Sequence, residues 1–94
     1  MRALKVYRWQ SFRTECPTYH RQTKEVVAAR SKAEAARLAG FDRPSQMFNF
    51  AEACSDLEIK VAMQSPGTVY WTPINNFSSE IKDWIAVVKN ERNE

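Results

Sequence analysis

Glycine is scarce in this sequence, with only Gly40 and Gly67 in 94 residues, and histidine is scarcer still, with His20 alone. Two isolated glycines form no Gly-rich loop of the kind that cradles phosphate, so capture of a phosphate-bearing small molecule ranks last among the functions to consider. Cysteine is limited to Cys16 and Cys54. No apolar run approaches the ~18 residues of a membrane span. The start of the chain alternates charge with bulk, unlike a secretory signal. These absences lead to the expectation of a cytoplasmic chain with no membrane segment, whose two thiols stay reduced. In such a compartment the Asn76-Phe77-Ser78 glycosylation sequon goes unused.

The few chemically versatile side chains make a poor constellation. Cys16, His20 and Cys54 supply three metal ligands, whereas structural zinc takes four, usually with tight Cys-x-x-Cys spacing. A Cys16/His20 pair would need the imidazole to deprotonate the thiol, and the only His sits in a loop with Pro17. The expectation is therefore no metal, no cofactor and no catalytic residue: not an enzyme.

What is present belongs to a packed domain. Hydrophobic residues make up 44% of the chain and aromatics 12%, enough to exclude a disordered polymer. The length allows one core, so residues 1–94 are expected to form a single domain. Residues 3–12 are strand formers, with Leu4, Val6 and Arg8 on one face and Tyr7 and Trp9 on the other. Residues 13–21 read as the tip of a hairpin, and Gln22 to Arg30 as the returning strand. Ser31 and Glu34 form a capping box ahead of an Ala-rich helix over 32–39, stopped by Gly40. Met47 to Ala51 reads as a strand with Phe48 and Phe50 on one face. Ser55 and Glu58 launch a second helix, and Thr68 to Thr72 reads as another strand. Ile81, Trp84, Ile85 and Val88 fall at helical spacing, predicting a last amphipathic helix with Trp84 in the core. The expected class is α+β, in the order β-β-α-β-α-β-α, with one sheet and helices mainly on one face.

Charge is divided unevenly. The first 44 residues carry ten basic and four acidic side chains, and the remainder four basic and seven acidic. Such a dipolar surface steers partners and suppresses wrong ones. The basic half interleaves aromatics, which suits contact with either protein or nucleic acid and is also what a core strand beneath a helix would show. The candidate partner-binding residues are Arg8, Trp9, Arg13, Tyr19, Arg21 and Lys24. Charge reversal at Arg8, Arg13 and Arg21 is expected to weaken binding while leaving the fold alone.

The stretch Glu25 to Gly40, followed by Arg43 to Phe50 and Ser65 to Trp71, resembles small accessory proteins encoded by bacteriophages and prophages, of the anti-defence, anti-CRISPR-like kind. That resemblance implies a short domain that blocks a host or defence complex by binding it, in the cytoplasm of a host bacterium. The expected function is thus a non-enzymatic, protein-binding inhibitor, whose partner is a bacterial protein or nucleoprotein complex. The alternative is a small nucleic-acid-binding regulator using the basic and aromatic N-terminal hairpin, and self-association stays open.

Overall fold

In the computed structural model, residues 4–14, 16, 21–53, 55–74 and 80–87 are described. The first strand, β1 (Lys5–Phe12), pairs along its whole length with β2 (Gln22–Ala29), from Lys5 opposite Ala29 to Phe12 opposite Gln22. Helix α1 (Lys32–Ala39) follows, then a 3₁₀ turn at Pro44–Gln46 and the strand β3 (Phe48–Glu52). Helix α2 (Asp56–Met63) leads into β4 (Tyr70–Pro73), and a 3₁₀ turn at Ile81–Asp83 into β5 (Ile85–Ala86). Every pairing is antiparallel, and the five strands lie in the order β3-β1-β2-β4-β5. The result is a small α+β domain built on one sheet.

The helices divide between the two faces of that sheet, where a single helical layer was expected. Alternation along β1 and β2 supplies the reason. Val6, Val26 and Ala28 turn to one side and pack with Val61 and Ala62 of α2, together with Tyr70 and Trp84. Tyr7, Trp9, Val27 and Ala29 turn to the other and pack with Ala35 and Ala36 of α1, together with Met47 and Val69. Both faces of the central strands are apolar, so each needs a cover.

Local chemistry accounts for the helix ends. Ser31 Oγ accepts from the Glu34 amide at 3.1 Å, while the Glu34 carboxylate accepts from the amide of Arg30, one residue before the cap, at 2.7 Å. Gly40 holds a left-handed φ of 93°. Its amide reaches Arg37 O and that of Phe41 reaches Ala36 O at 2.8 Å, the Schellman pattern that closes a helix. At α2 the contact from the Glu58 amide to Ser55 Oγ is long, 3.5 Å, and the Glu58 side chain turns to Arg8 instead of completing a box.

Two sequence expectations change here. Phe48 and Phe50 occupy opposite faces, because a bulge at Asn49 (φ 55°) shifts the β1–β3 register between Arg8 and Gln10. Phe48 lies opposite Gln10, whereas Phe50 stacks on Tyr7 at 5.4 Å between ring centroids. The expected last helix is also absent from residues 81–87, where the chain makes a 3₁₀ turn and then pairs with β4 as β5. An Ile-Ala-Val run suits a strand as well as a helix, and the open edge of β4 offers backbone partners that a helix could not use. Trp84 is nevertheless core, 7% exposed, and Val88 lies outside the described residues.

Candidate partner-binding face

The sheet is longer than the helices that cover it. On the α2 side the helix lies over Val26, Ala28 and Val6, and the 3₁₀ turn at Ile81–Asp83 meets Thr72, whose Oγ1 donates to Asp83 O at 3.3 Å; neither described α-helix reaches the end of the sheet beyond them. Cross-strand register defines what stands there: Phe48, Gln10, Lys24 and Thr72 form one row across β3, β1, β2 and β4. Phe12 and Gln22 form the next row, extended by Ile74, whose amide donates to Gln22 O at 3.0 Å. Phe12 is 68% exposed and Phe48 65%. Together with Gln10, Ser11, Gln22 and Ile74 they line a cleft of about 280 Å³. That is just below the ~300–1,000 Å³ of small-molecule sites and suits a single bulky side chain.

Two cations adjoin the lining of this cleft without being part of it, Lys24 opposite Gln10 in the register and Arg21 just before Gln22. Lys24 shares its face, with Nζ 5.9 Å from the centre of the Trp84 ring, and neither it nor exposed Arg21 pairs with a carboxylate among the described residues. Arg21 directly precedes Gln22 and has a left-handed φ of 55°, unusual for a long side chain. The only other non-glycine residue with positive φ among those described is Asn49, next to Phe48, held by a 3.0 Å bond from its side-chain amide to Gln10 Oε1. Each directly neighbours a residue that lines the cleft, Gln22 and Phe48.

The remaining sequence candidates are occupied elsewhere. Arg8 Nε donates to Glu58 Oε2 at 3.2 Å, tying β1 to α2. Trp9 is 2% exposed, on the α1 side, where its indole N–H has no acceptor among the described residues. Arg13 makes a two-pronged pair with Glu25, 2.7 and 3.0 Å, and lies 5.9 Å from the Trp71 ring centre. Glu25 is itself 2% exposed and accepts a third bond from Thr23 Oγ1 at 2.7 Å. This cluster, between Trp9 and Trp71 in the register, consumes the charge of Arg13 in holding the hairpin to its own sheet. Arg8 and Arg13 are thus paired with carboxylates and Trp9 is buried, while Arg21 and Lys24 adjoin residues that line the exposed cleft.

Tyr19, His20, Cys54 and the Asn76 sequon lie outside the described residues. Cys16 is buried and directs Sγ to Gln22 O at 3.6 Å. Among the described residues no three His, Cys, Asp or Glu side chains gather as metal ligands, and no helix is long and apolar enough to cross a membrane. Phe48 and Ile74 were missed as site residues because the bulge and the β4 register, which bring them to Phe12, leave no simple period in sequence. A larger apolar groove, about 450 Å³, lies between Leu38 and the Val69–Val87 edge, and like the Phe12/Phe48 cleft it has no charged side chain in its lining. Comparison with family models, with characterised proteins and with solved structures finds no match for the chain.

Proposed function

We propose that the protein works by binding another protein and not by catalysis, as a phage-encoded inhibitor that occupies a surface of a bacterial defence or host complex in the cytoplasm. The observation that carries this reading is the pair of exposed aromatics, Phe12 and Phe48, lining one cleft on a stretch of sheet beyond the two described α-helices. Single exposed apolar residues are ordinary, but two phenylalanines lining one cleft, next to cations that meet no carboxylate among the described residues, have the make-up of a binding anchor with a polar rim. The polarised charge of the chain supports an oriented approach. The alternative, a nucleic-acid binder, draws on the same rings as stacking platforms. It is the weaker reading because Lys5, Arg8 and Arg13 are engaged with Glu52, Glu58 and Glu25.

The test is affinity capture from nuclease-treated bacterial lysate at about 0.15 M salt, comparing the wild type with Phe12→Ser/Phe48→Ser. A stoichiometric protein that the wild type retains and the double variant loses, at equal thermal stability, is the expected result. Equal retention by both, or retention only when nuclease is omitted, would refute the protein-binding assignment to this face.

A further inference from the structure

The chemistry around the cleft narrows what it can hold. We infer that it takes a bulky apolar side chain from a partner segment whose neighbouring residues are acidic, an inference that rests on the protein-binding reading above. Phe12, Phe48 and Ile74 provide apolar walls, and the cleft has room for one such side chain. Lys24 and Arg21 then meet the flanking residues, and charge complementarity requires these to be carboxylates. Within the β1–β2 hairpin, Arg21 and Lys24 are the described cations that face no carboxylate among the described residues. The other described cations of β1 and its following loop already face carboxylates: Lys5 faces Glu52 at 3.9 Å, Arg8 faces Glu58 at 3.2 Å and Arg13 faces Glu25 at 2.7 Å.

Magnitude decides between an acidic segment and a nucleic acid. Two cations without a carboxylate among the described residues neutralise about two phosphates, a salt slope of only about −1.4 for a single strand, whereas tract-binding proteins use several more contacts. Two cations are ample for one or two carboxylates next to an anchoring side chain. A second copy of this chain is disfavoured by symmetry, since a two-fold contact through the cleft would set Arg21 and Lys24 against their own counterparts.

The experiment uses the full chain, ¹⁵N-labelled, titrated with four probes: Asp-Glu-Phe-Leu-Asp-Glu, its amide analogue Asn-Gln-Phe-Leu-Asn-Gln, Asp-Glu-Ser-Ser-Asp-Glu, and a twelve-nucleotide oligothymidylate. The first is expected to shift the amide signals of Phe12, Gln22, Lys24, Phe48 and Ile74, and to bind about tenfold or more above the other three. Arg21→Ser/Lys24→Ser should reduce the preference for the acidic over the amide probe to near unity, with the same melting temperature as wild type. Equal binding of the acidic and amide probes would overturn the acidic requirement. Tighter binding of the oligothymidylate at the same signals would make the ligand a nucleic acid, and concentration-dependent dimerisation abolished by Phe12→Ser/Phe48→Ser would make it a second copy; either overturns the inference. If no peptide shifts this face while capture of an intact protein still depends on Phe12 and Phe48, the acidic segment is wrong and the binding reading stands. If capture is indifferent to both residues, both fall.

Discussion

Arg13 and Arg21 close the same hairpin, joined by a 3.0 Å bond from the Arg13 amide to Arg21 O, yet they have opposite energetic roles. Arg13 neutralises a carboxylate that is 2% exposed, so Arg13→Ala leaves Glu25 buried with Thr23 as its remaining partner among the described residues. Breaking such a pair costs about 3–5 kcal/mol, a large share of the ~5–15 kcal/mol that holds a domain together. Urea unfolding of Arg13→Ala should therefore show a markedly lower midpoint with unchanged slope. Charge reversal at Arg13 would be worse, placing two carboxylates together, which corrects the expectation that reversing Arg8, Arg13 and Arg21 leaves folding alone. Arg21 makes no described side-chain bond and holds φ at 55°, where a side chain costs about 1–2 kcal/mol. Arg21→Gly is expected to raise the midpoint of the same urea curve by up to about 1 kcal/mol of stability while weakening partner binding. A loss of stability in that variant would mean the side chain is structural. Sequence alone ranked these two arginines together, because nothing in Arg13-Thr14 or Arg21-Gln22 reveals that Glu25, a long way along the chain from the first and near the second, becomes buried between two tryptophans.

Local signals in the elements were the most readable. The Ser31 cap, the Ala-rich α1 and the Gly40 stop depend on residues within a few positions of each other, so their chemistry is visible without tertiary information. Ser31→Ala should cost about 1 kcal/mol, and Ser55→Ala less, since the contact at α2 is 3.5 Å and not 3.1 Å. Paired thermal melts of the two variants check that ordering, and a larger loss at Ser55 would contradict it. The failures lie where long-range pairing chooses between states that the local sequence allows. Residues 81–87 carry a stripe fit for a helix, but the free edge of β4 takes Ile85 and Ala86 into the sheet. Trp84 reaches the core by either route, so its burial was legible although its backbone was not. Trp84→Ala should cost about 3–5 kcal/mol, read as a lowered urea midpoint. At β3 the left-handed Asn49 breaks the two-residue alternation, and that one bulge moves Phe48 away from Phe50 and onto the Phe12 face. The bulge also twists the edge strand that would otherwise offer a regular template to another chain.

Across the whole molecule, the sheet has a part covered by helices and an end that leaves two aromatic rings exposed. Under α1 and α2 the central strands are packed and paired, and the ion pairs of Arg8 and Arg13 consume charge that the sequence presents as a basic surface. Beyond the reach of α2, the same strands end in Phe12, Gln22 and Ile74, with Phe48 alongside and Arg21 and Lys24 free of carboxylates among the described residues. Of the candidate residues named from the sequence, Arg21 and Lys24 adjoin the exposed cleft and Trp9 is buried, while the exposed rings there are Phe12 and Phe48. The central claim is that these two rings serve binding and not folding. Its most direct test is a calorimetric titration of the captured partner protein with wild type and with Phe12→Ser/Phe48→Ser, each first shown to melt at the same temperature. The account predicts at least tenfold weaker binding by the variant, about 1.4 kcal/mol. An unchanged dissociation constant for a folded double variant would contradict it.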